Sequence, residues 1–532
     1  MKPQSQPPAA NDQSPAASAS PRANLLLFGA LVALFAAVRF WRLTASCLWF
    51  DEIFSVHAAR HGWTQIFSFV AADLIHPPLF YVLLKVWIGI GGESLLWLRL
   101  FPALTSVAAV LPFYLLCREF KLTPHQRNLA LLLLAVSGFL IKYAQEVRMY
   151  SLLFLLSVTS LYLFLRFLDA NVNPRRHIVP LTAVNLLLVY THYAGWAAVA
   201  LQIVALLWLK RERLRLFAAS LALLLVAYLP WLYELKRAAV AGRGLAQNIG
   251  WVARPGLSEI VQSLTAINRP FWFSQSSADV FTDPVSTPLV ILLLLFPSIV
   301  FGVQLVRAGD YHHWKFARLR TALLFAFAPA LFFFAASWIL PQSIWGTRHL
   351  IISVGPFAIL TAVALMLLRP YWIKVSVFLL LACWFLLAGL VSLISPAPQF
   401  IWCAWEPLGQ EMVRAEPDAN RAIRVYAFED LVAYHLWFGL NATANSRVRV
   451  SVIKGTPGLT EDAAYFLPRR FDDIAVTNQP DGDSFWIAFR DRQWNESSPP
   501  LNLFINRGYR AGPVLERKAQ GVKAFLVRMQ RE

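Results

Sequence analysis

Eleven apolar runs, each bounded by polar or basic residues, decide what this chain can fold into. They lie at 24–38, 95–117, 128–143, 150–167, 178–193, 195–209, 215–233, 286–306, 321–340, 349–368 and 374–395. A helix of roughly 20 apolar residues crosses the hydrocarbon core of a bilayer. With 58% of the 532 residues hydrophobic and 15% charged, no water-soluble core could absorb so many runs, and lipid must solvate much of the surface. The expected fold is an α-helical polytopic membrane protein with about 11 transmembrane helices.

The polar segments between the runs orient the chain. Lys and Arg outnumber Asp and Glu by 48 to 30, a net charge of +18. In a soluble protein that excess would suggest nucleic acid; here it follows membrane sidedness, and no nucleic-acid partner is expected. "CREFKLTPHQR" (117–127), "NPRRH" (173–177), "KRERLR" (210–215), "RAGDYHHWKFARLR" (307–320) and "RPYWIK" (369–374) are basic and therefore cytoplasmic. The segment 76–92, "HPPLFYVLLKVWIGIGG", would invert everything after it if it spanned. It is short and carries Lys85, so an interfacial or re-entrant helix is expected. Residues 1–23 are rich in Pro, Ser and Ala and read as a disordered tail. A signal peptide over 24–38 is rejected, because Thr44 stands where a lipoprotein site needs an aliphatic residue and Arg39 and Arg42 intervene.

With this sidedness, residues 44–94, "KYAQEVRMY" (142–150), "THYAG" (191–195), the loop 234–285, "PQSIWGTRH" (341–349) and the tail from 396 all face outward. The membrane domain is 24–396. The tail, 397–532, turns polar and alternates β-like runs ("AIRVYAF", "RVRVSVI", "SFWIAF", "KAFLVRM") with helical ones such as "EDLVAYHLWF". It reads as a soluble α/β or α+β domain on the outer side, with no phosphate loop or metal-ligand cluster. Cys47 and Cys403 share that face and could pair; no cysteine spacing suggests zinc.

The chemistry-bearing residues gather at the same rim. Asp51 and Glu52 form an acidic pair among Trp49, Phe50, Phe54 and Trp63. Carboxylates favour the first turn of a helix, so a simple cap explains one of them; two, among aromatic rings, favour a site. His57 and His61 stand one helical turn apart, either holding a metal or lying on a solvated face. Lys142, Glu146 and Arg148 form either a salt-bridged turn or a phosphate-binding and acid/base group. Arg348 and His349 top a later helix, where a lone Arg often only reaches for headgroups. Three cations on one face favour a phosphate ligand.

The Asp-Glu pair, "HPPL", "YAQEVRMYSLL" and "TRHLIISVGP", in that order, resemble the GT-C membrane glycosyltransferases of family 39. They are most similar to the bacterial lipid A galacturonosyltransferase group, with protein O-mannosyltransferases and aminoarabinose transferases more distant. The resemblance spans roughly residues 24–370. It implies a GT-C fold and transfer of a sugar from a polyprenyl-phosphate donor to a lipid, glycan or protein acceptor at the outer face of the inner (plasma) membrane. Asp51 falls on the family's general base, with Glu52 beside it, and Glu146 on its second acidic position. Arg348 falls on the late cation, with Arg148 and Lys142 as further donor-phosphate ligands, and His76, Tyr143 and His192 as substrate-binding residues. Whether a divalent metal is needed stays open; Asp51 and Glu146 are the residues that would hold it.

Such a reaction suits a membrane rim. A lipid phosphate is already a good leaving group, so cations to hold it and a carboxylate to take the acceptor's proton suffice. A transporter would keep its charges near the bilayer middle and often shows repeats, which this sequence lacks. A non-catalytic lipid-binding assembly protein would also suit a basic rim. The sidedness predicts that, with Cys403 replaced, a cysteine introduced near residue 450 reacts with an impermeant thiol reagent in intact cells. One at 212 should not; the opposite labelling pattern inverts the topology.

Overall fold

The computed structural model describes residues 21–169, 171–241, 249–271, 285–307, 314–397, 400–416, 418, 421–442, 447–454, 474–519 and 521–531. Most of the expected tail lies outside these; residues 21–23 already belong to the first helix, α1 (Pro21–Phe40). Among the described residues eight helices are long and apolar enough to cross a membrane: Arg22–Phe40, Leu95–Glu119, Tyr150–Leu168, Arg211–Val240, Ser286–Arg307, Arg318–Ile339, Thr347–Met366 and Tyr371–Ile394. They coincide with eight of the eleven expected runs.

The other three runs are also helical but shorter or less apolar. The run 178–193 lies in α10 (Pro174–Thr191), whose first turn carries Arg175 and Arg176, and 195–209 is α11 (Ala194–Leu209), of 16 residues. The run 128–143 is broken at Ser137 into α7 (Pro124–Val136) and α8 (Gly138–Ala144). A break at membrane depth survives only if its backbone groups find partners inside the protein. Here the Phe271 amide donates to the Val136 carbonyl at 2.7 Å and the Gly138 amide to the Arg269 carbonyl at 2.9 Å. The wholly buried Arg39 guanidinium donates to the carbonyls of Leu134 (3.0 Å) and Ala135 (3.2 Å), at the negative end of α7.

Segment 76–92 holds α4 (Leu79–Gly91), only 13 residues and about 20 Å long, too short to cross. It lies between α2 (Phe50–Arg60) with α3 (Gln65–Asp73), and the broken helix pair α5 (Leu95–Ala108) and α6 (Val110–Glu119). Its lysine is used locally: Lys85 Nζ donates to the carbonyls of Ala59 (3.1 Å) and His61 (2.7 Å), ending α2. Trp87 and Trp97 stack at 4.3 Å, and each indole N–H donates to the other's carbonyl. Gly91 permits this, since a Cβ there would lie 2.1 Å from the Trp97 ring.

The C-terminal part is a six-stranded sheet in the order β3-β2-β1-β4-β6-β5. Its strands are β1 (Ile423–Ala427), β2 (Val448–Ile453), β3 (Ala475–Thr477), β4 (Ser484–Asp491), β5 (Tyr509–Ala519) and β6 (Val522–Arg531). β1 pairs in parallel with β2 and β4, whereas β4–β6 and β6–β5 are antiparallel. The four expected β-like runs are β1, β2, β4 and β6. The short β3 and the polar, Pro-containing β5 gave no such pattern.

This domain is clasped to α2 and the segment that leads into it. Cys47 and Cys403 form a disulfide. On the helix Asp430–Ala442, Tyr434 packs on Phe50 at 5.2 Å and its hydroxyl meets His57 Nδ1 at 2.7 Å. Trp437 lies 4.8 Å from the His57 ring, and Arg60 sits 4.7 Å over Phe438. Burial, with His61 and Arg60 nearby, pushes the His57 imidazole down to about 3. Behind it His435, stacked on Trp402, is buried and held at about 4, against the Leu431 carbonyl and with Arg490 adding to the depression. Both histidines are neutral in the folded seam and gain protons when it opens. Their contribution is therefore complete above the ordinary value of about 6.5 and is lost as the pH falls toward the folded values. Amide protection factors (exchange rates corrected for the intrinsic pH dependence) in residues 430–442 are expected to fall on going from pH 7 to pH 4.5, with His57→Phe removing part of the effect. Protection factors independent of pH there would show that protonation does not govern the seam.

Candidate active site

The site is built from the start of α2. Glu52, in its first turn, is wholly buried and both its oxygens are engaged. Oε2 accepts from the Trp49 amide (3.1 Å) and Arg99 Nη2 (3.1 Å); Oε1 accepts from the Val147 amide (2.9 Å) and Arg99 Nε (3.3 Å). Arg99, equally buried, spends its remaining donors on the carbonyls of Leu43, Ser46 and Cys47. Glu52, expected beside the general base, therefore does not present a free carboxylate to a ligand. It fastens the entry to α2, the helix α5 and the turn before α9 (Tyr150–Leu168) to one another.

Asp51, one residue earlier, points the other way. Its side chain is 21% exposed, and Oδ2 stands 3.5 Å from Arg348 Nη1 and 3.8 Å from Arg148 Nη2. The two guanidiniums differ in setting. Arg148 is 2% exposed and tied to the Asp51 carbonyl (3.1 Å), Ser55 Oγ (3.3 Å) and His76 Nε2 (3.3 Å). Arg348 is 22% exposed and also reaches Tyr150 Oη at 3.4 Å. It enters on the turn Thr347–Leu350, fixed by the Thr347 hydroxyl meeting Ser263 Oγ at 2.9 Å.

A buried chain supports Arg148. Because Arg148 can only donate, His76 Nε2 accepts, and its Nδ1–H faces Asp73 Oδ2 at 3.4 Å. His192 lies beside His76 at 5.4 Å and His349 at 5.1 Å between ring centres, with Tyr150 at 5.9 Å; Tyr143 packs on Tyr150 at 4.5 Å. Lys142 and Glu146, both buried, pair with each other at 3.7 Å, the salt-bridged turn that was one reading of their spacing. His57 and His61 belong to the domain seam and to a stack with Phe69, not to this cluster.

Asp51, Arg148, Arg348, His76, His192 and Tyr143 thus share one neighbourhood at one end of the helix bundle. Asp73, Tyr81 and Tyr150 join them without having been singled out in the sequence. Asp73 was visible as an acid in an apolar stretch three residues before His76, but Tyr81 and Tyr150 read as ordinary interfacial aromatics. Among the described residues no group of three or more His, Cys, Asp or Glu side chains is arranged to hold a metal, and the nearest charged partners of Asp51 are guanidiniums. With Asp51 facing guanidiniums and Glu146 paired with Lys142, the donor set here does not fit a divalent metal held between the two acids, which the sequence left open. Chemically, the arrangement offers an accessible carboxylate able to accept a proton and a partly accessible cation able to hold an anion.

No family model matches the chain, and no curated protein does either. Solved structures do. ArnT from Cupriavidus metallidurans bound to undecaprenyl phosphate aligns with a TM-score of 0.57 at 13% identity, covering 96% of this chain and 98% of that one. The oligosaccharyltransferase AglB from Archaeoglobus fulgidus, in complex with an inhibitory peptide and a dolichol-phosphate, aligns at 0.52 and 14% identity. That alignment covers 95% of this chain and 74% of AglB. The apo form of the oligosaccharyltransferase aligns at 0.48 and 16% identity over 80% of this chain, which spans 64% of that structure's length. The chain has the GT-C fold with a C-terminal sheet domain.

The buried pair gives a direct test of this construction. Arg99→Leu strands the Glu52 charge in the interior, which typically costs about 3–5 kcal/mol. Glu52→Gln keeps two heteroatoms in place and leaves Arg99 its three carbonyls, so it should be milder. Thermal unfolding in detergent is expected to rank wild type above Glu52→Gln above Arg99→Leu. Equal melting temperatures for all three would remove the pair from its structural role.

Proposed function

We propose that this protein is a membrane glycosyltransferase that moves a sugar from a polyprenyl-phosphate-linked donor to the hydroxyl of an acceptor at the outer face of the membrane. One observation carries the reading: a partly exposed carboxylate, Asp51, faces a partly exposed guanidinium, Arg348, on a GT-C fold. The solved proteins that share the fold, ArnT and AglB, hold undecaprenyl phosphate and dolichol-phosphate. The ordered motifs favour family 39, and within it the lipid A galacturonosyltransferase group, with a hexose or pentose as cargo and a lipid, glycan or protein as acceptor. The setting that fits is the plasma membrane, with residues 397–532 outside. The Cys47–Cys403 disulfide supports that side, since such bonds persist in oxidising compartments.

In the proposed reaction the acceptor oxygen attacks the anomeric carbon and its proton passes to Asp51. The new glycosidic C–O bond forms as the bond from the anomeric carbon to the phosphate oxygen breaks, and the electron pair leaves on the lipid phosphate. Arg348 compensates that charge, and its planar fork suits phosphate oxygens. Arg148, held by His76 and Ser55, fixes the angle of Asp51 through its main-chain carbonyl. Lys142 and Glu146 support the turn behind it through their own pair.

Incubation with a radiolabelled polyprenyl-phosphate sugar should release free polyprenyl phosphate in step with labelled acceptor. Asp51→Asn is nearly isosteric and should lower transfer by at least about a hundredfold, the usual lower range for a general base, with normal membrane insertion. Full transfer by that variant would move the base elsewhere; no release of polyprenyl phosphate by the wild type would end the transferase reading.

A further inference from the structure

Three imidazoles stand in a row near Asp51, His192 lying 5.4 Å from His76 and 5.1 Å from His349 between ring centres. His76 spends Nδ1 on Asp73 and Nε2 on Arg148. His192 spends only one nitrogen. The Ala194 amide donates to His192 Nδ1 at 3.0 Å, so Nδ1 must be the unprotonated acceptor and the ring proton sits on Nε2. That Nε2–H is buried and has no hydrogen-bond partner among the described residues, on a side chain 4% exposed.

The turn makes this state rigid. His192 ends α10, and its carbonyl accepts from the Gly195 amide at 2.9 Å as α11 begins. Gly195 has to be glycine for the helices to meet so closely, because a Cβ would lie 2.7 Å from the Leu188 carbonyl oxygen. The ring stands between His76 and His349, with Tyr150 at 5.9 Å, and the Tyr150 hydroxyl is the atom that Arg348 contacts. A buried donor left without an acceptor is costly unless a ligand completes it.

We propose that His192 Nε2–H is a neutral hydrogen-bond donor to the phosphate of the lipid-linked donor, forming an anion subsite with Arg348 and Tyr150. The inference rests on the transferase reading for the identity of the lipid, but not for the presence of the subsite. Nε2–H can only donate, so its partner is an acceptor; Arg348, which reaches the hydroxyl of the Tyr150 beside the His192 ring, favours an anionic acceptor over a sugar hydroxyl. With Nδ1 committed to the backbone, His192 adds a donor without adding charge to a rim that already carries Arg148 and Arg348. It helps distinguish a polyprenyl phosphate from a polyprenol, whose hydroxyl brings no anionic oxygen.

The test compares binding of undecaprenyl phosphate and of undecaprenol to the purified full-length protein in lipid nanodiscs. His192→Gln and His192→Met are alike in length, and only the first can donate. The wild type should prefer the phosphate, and Gln should retain most of that preference. Met should lose roughly tenfold to a hundredfold in affinity for undecaprenyl phosphate, the usual range for a hydrogen bond to a charged group, and nothing for undecaprenol. Should the Met variant not accumulate, His192→Asn replaces it, since its carbonyl can still accept from Ala194 while its amide stops short of the Nε2 position. Equal preferences for donor and non-donor variants, or a loss shared by both lipids, would overturn the subsite. So would a wild type that does not prefer the phosphate. A His192-dependent preference in a protein that transfers no sugar would sink the transferase reading and leave the subsite standing. Sugar transfer with an undiminished preference in His192→Met would do the reverse.

Discussion

The ion pair between Glu52 and Arg99 is the contact on which the site-bearing end of the molecule depends. Two full charges with no solvent exposure are tolerated only when nearly every donor and acceptor is satisfied, and here seven hydrogen bonds made by the pair join four separate stretches of chain. The stretches are the loop Leu43–Cys47, the entry to α2, α5 and the turn at Val147, so the pair fixes where α2 starts relative to the membrane helices. Asp51 inherits its position from that arrangement. A carboxylate facing two guanidiniums at 3.5–3.8 Å has room to exchange partners without leaving its place. The acidic doublet is thus a division of labour, with one acid buried to build the site and its neighbour turned outward into it.

Much of this was legible in the sequence, and the exceptions have physical causes. Apolar length located the eight helices long enough to cross a membrane, and the segment 76–92, set apart by its lysine, holds a helix of only 13 residues whose lysine amine closes α2. Glu52 could be read as an acid at a helix start, but its partner lies 47 residues away and nothing local signals Arg99. The break at Ser137 was invisible, because "LLLLAVSGFLIKYA" is continuously apolar and the residues that satisfy the broken backbone, Arg39 and 269–271, come from elsewhere. For the same reason β5 was missed: a polar, proline-containing edge strand is defined by pairing with β6, not by its own pattern.

The buried arginines show a consistent solution to one problem. A guanidinium in a membrane domain must find acceptors, and carboxylates are scarce. Arg39 uses the carbonyls freed by the end of α7, with the ring of Phe35 3.2 Å away. Arg320 donates to the Leu305 carbonyl. Arg318, at the face opposite the site, pairs with Asp169 and Glu119. Each joins elements distant in sequence, so these charges act as fasteners within the fold. Arg348 differs in being the one of this group partly open to the outside, and this is why exposure, more than charge, separates it from the others.

The attachment of the sheet domain to α2 has a physical reason of the same kind. α2 is only 11 residues long and carries Asp51 in its first turn, and so short a helix needs tertiary contacts to hold it in place. Its inner side is fixed by the Glu52–Arg99 pair. Its other side meets Tyr434 and Trp437, and four residues before Asp51 the Cys47–Cys403 bond ties the strand leading into it. A carboxylate that must meet a reacting hydroxyl needs its helix held from both sides, since small misplacements cost rate steeply. The sheet domain carries, among its described residues, no set of side chains arranged to hold a metal, and its helix 430–442 covers α2 directly. Support of the site through α2 accounts for its attachment there without requiring chemistry of its own.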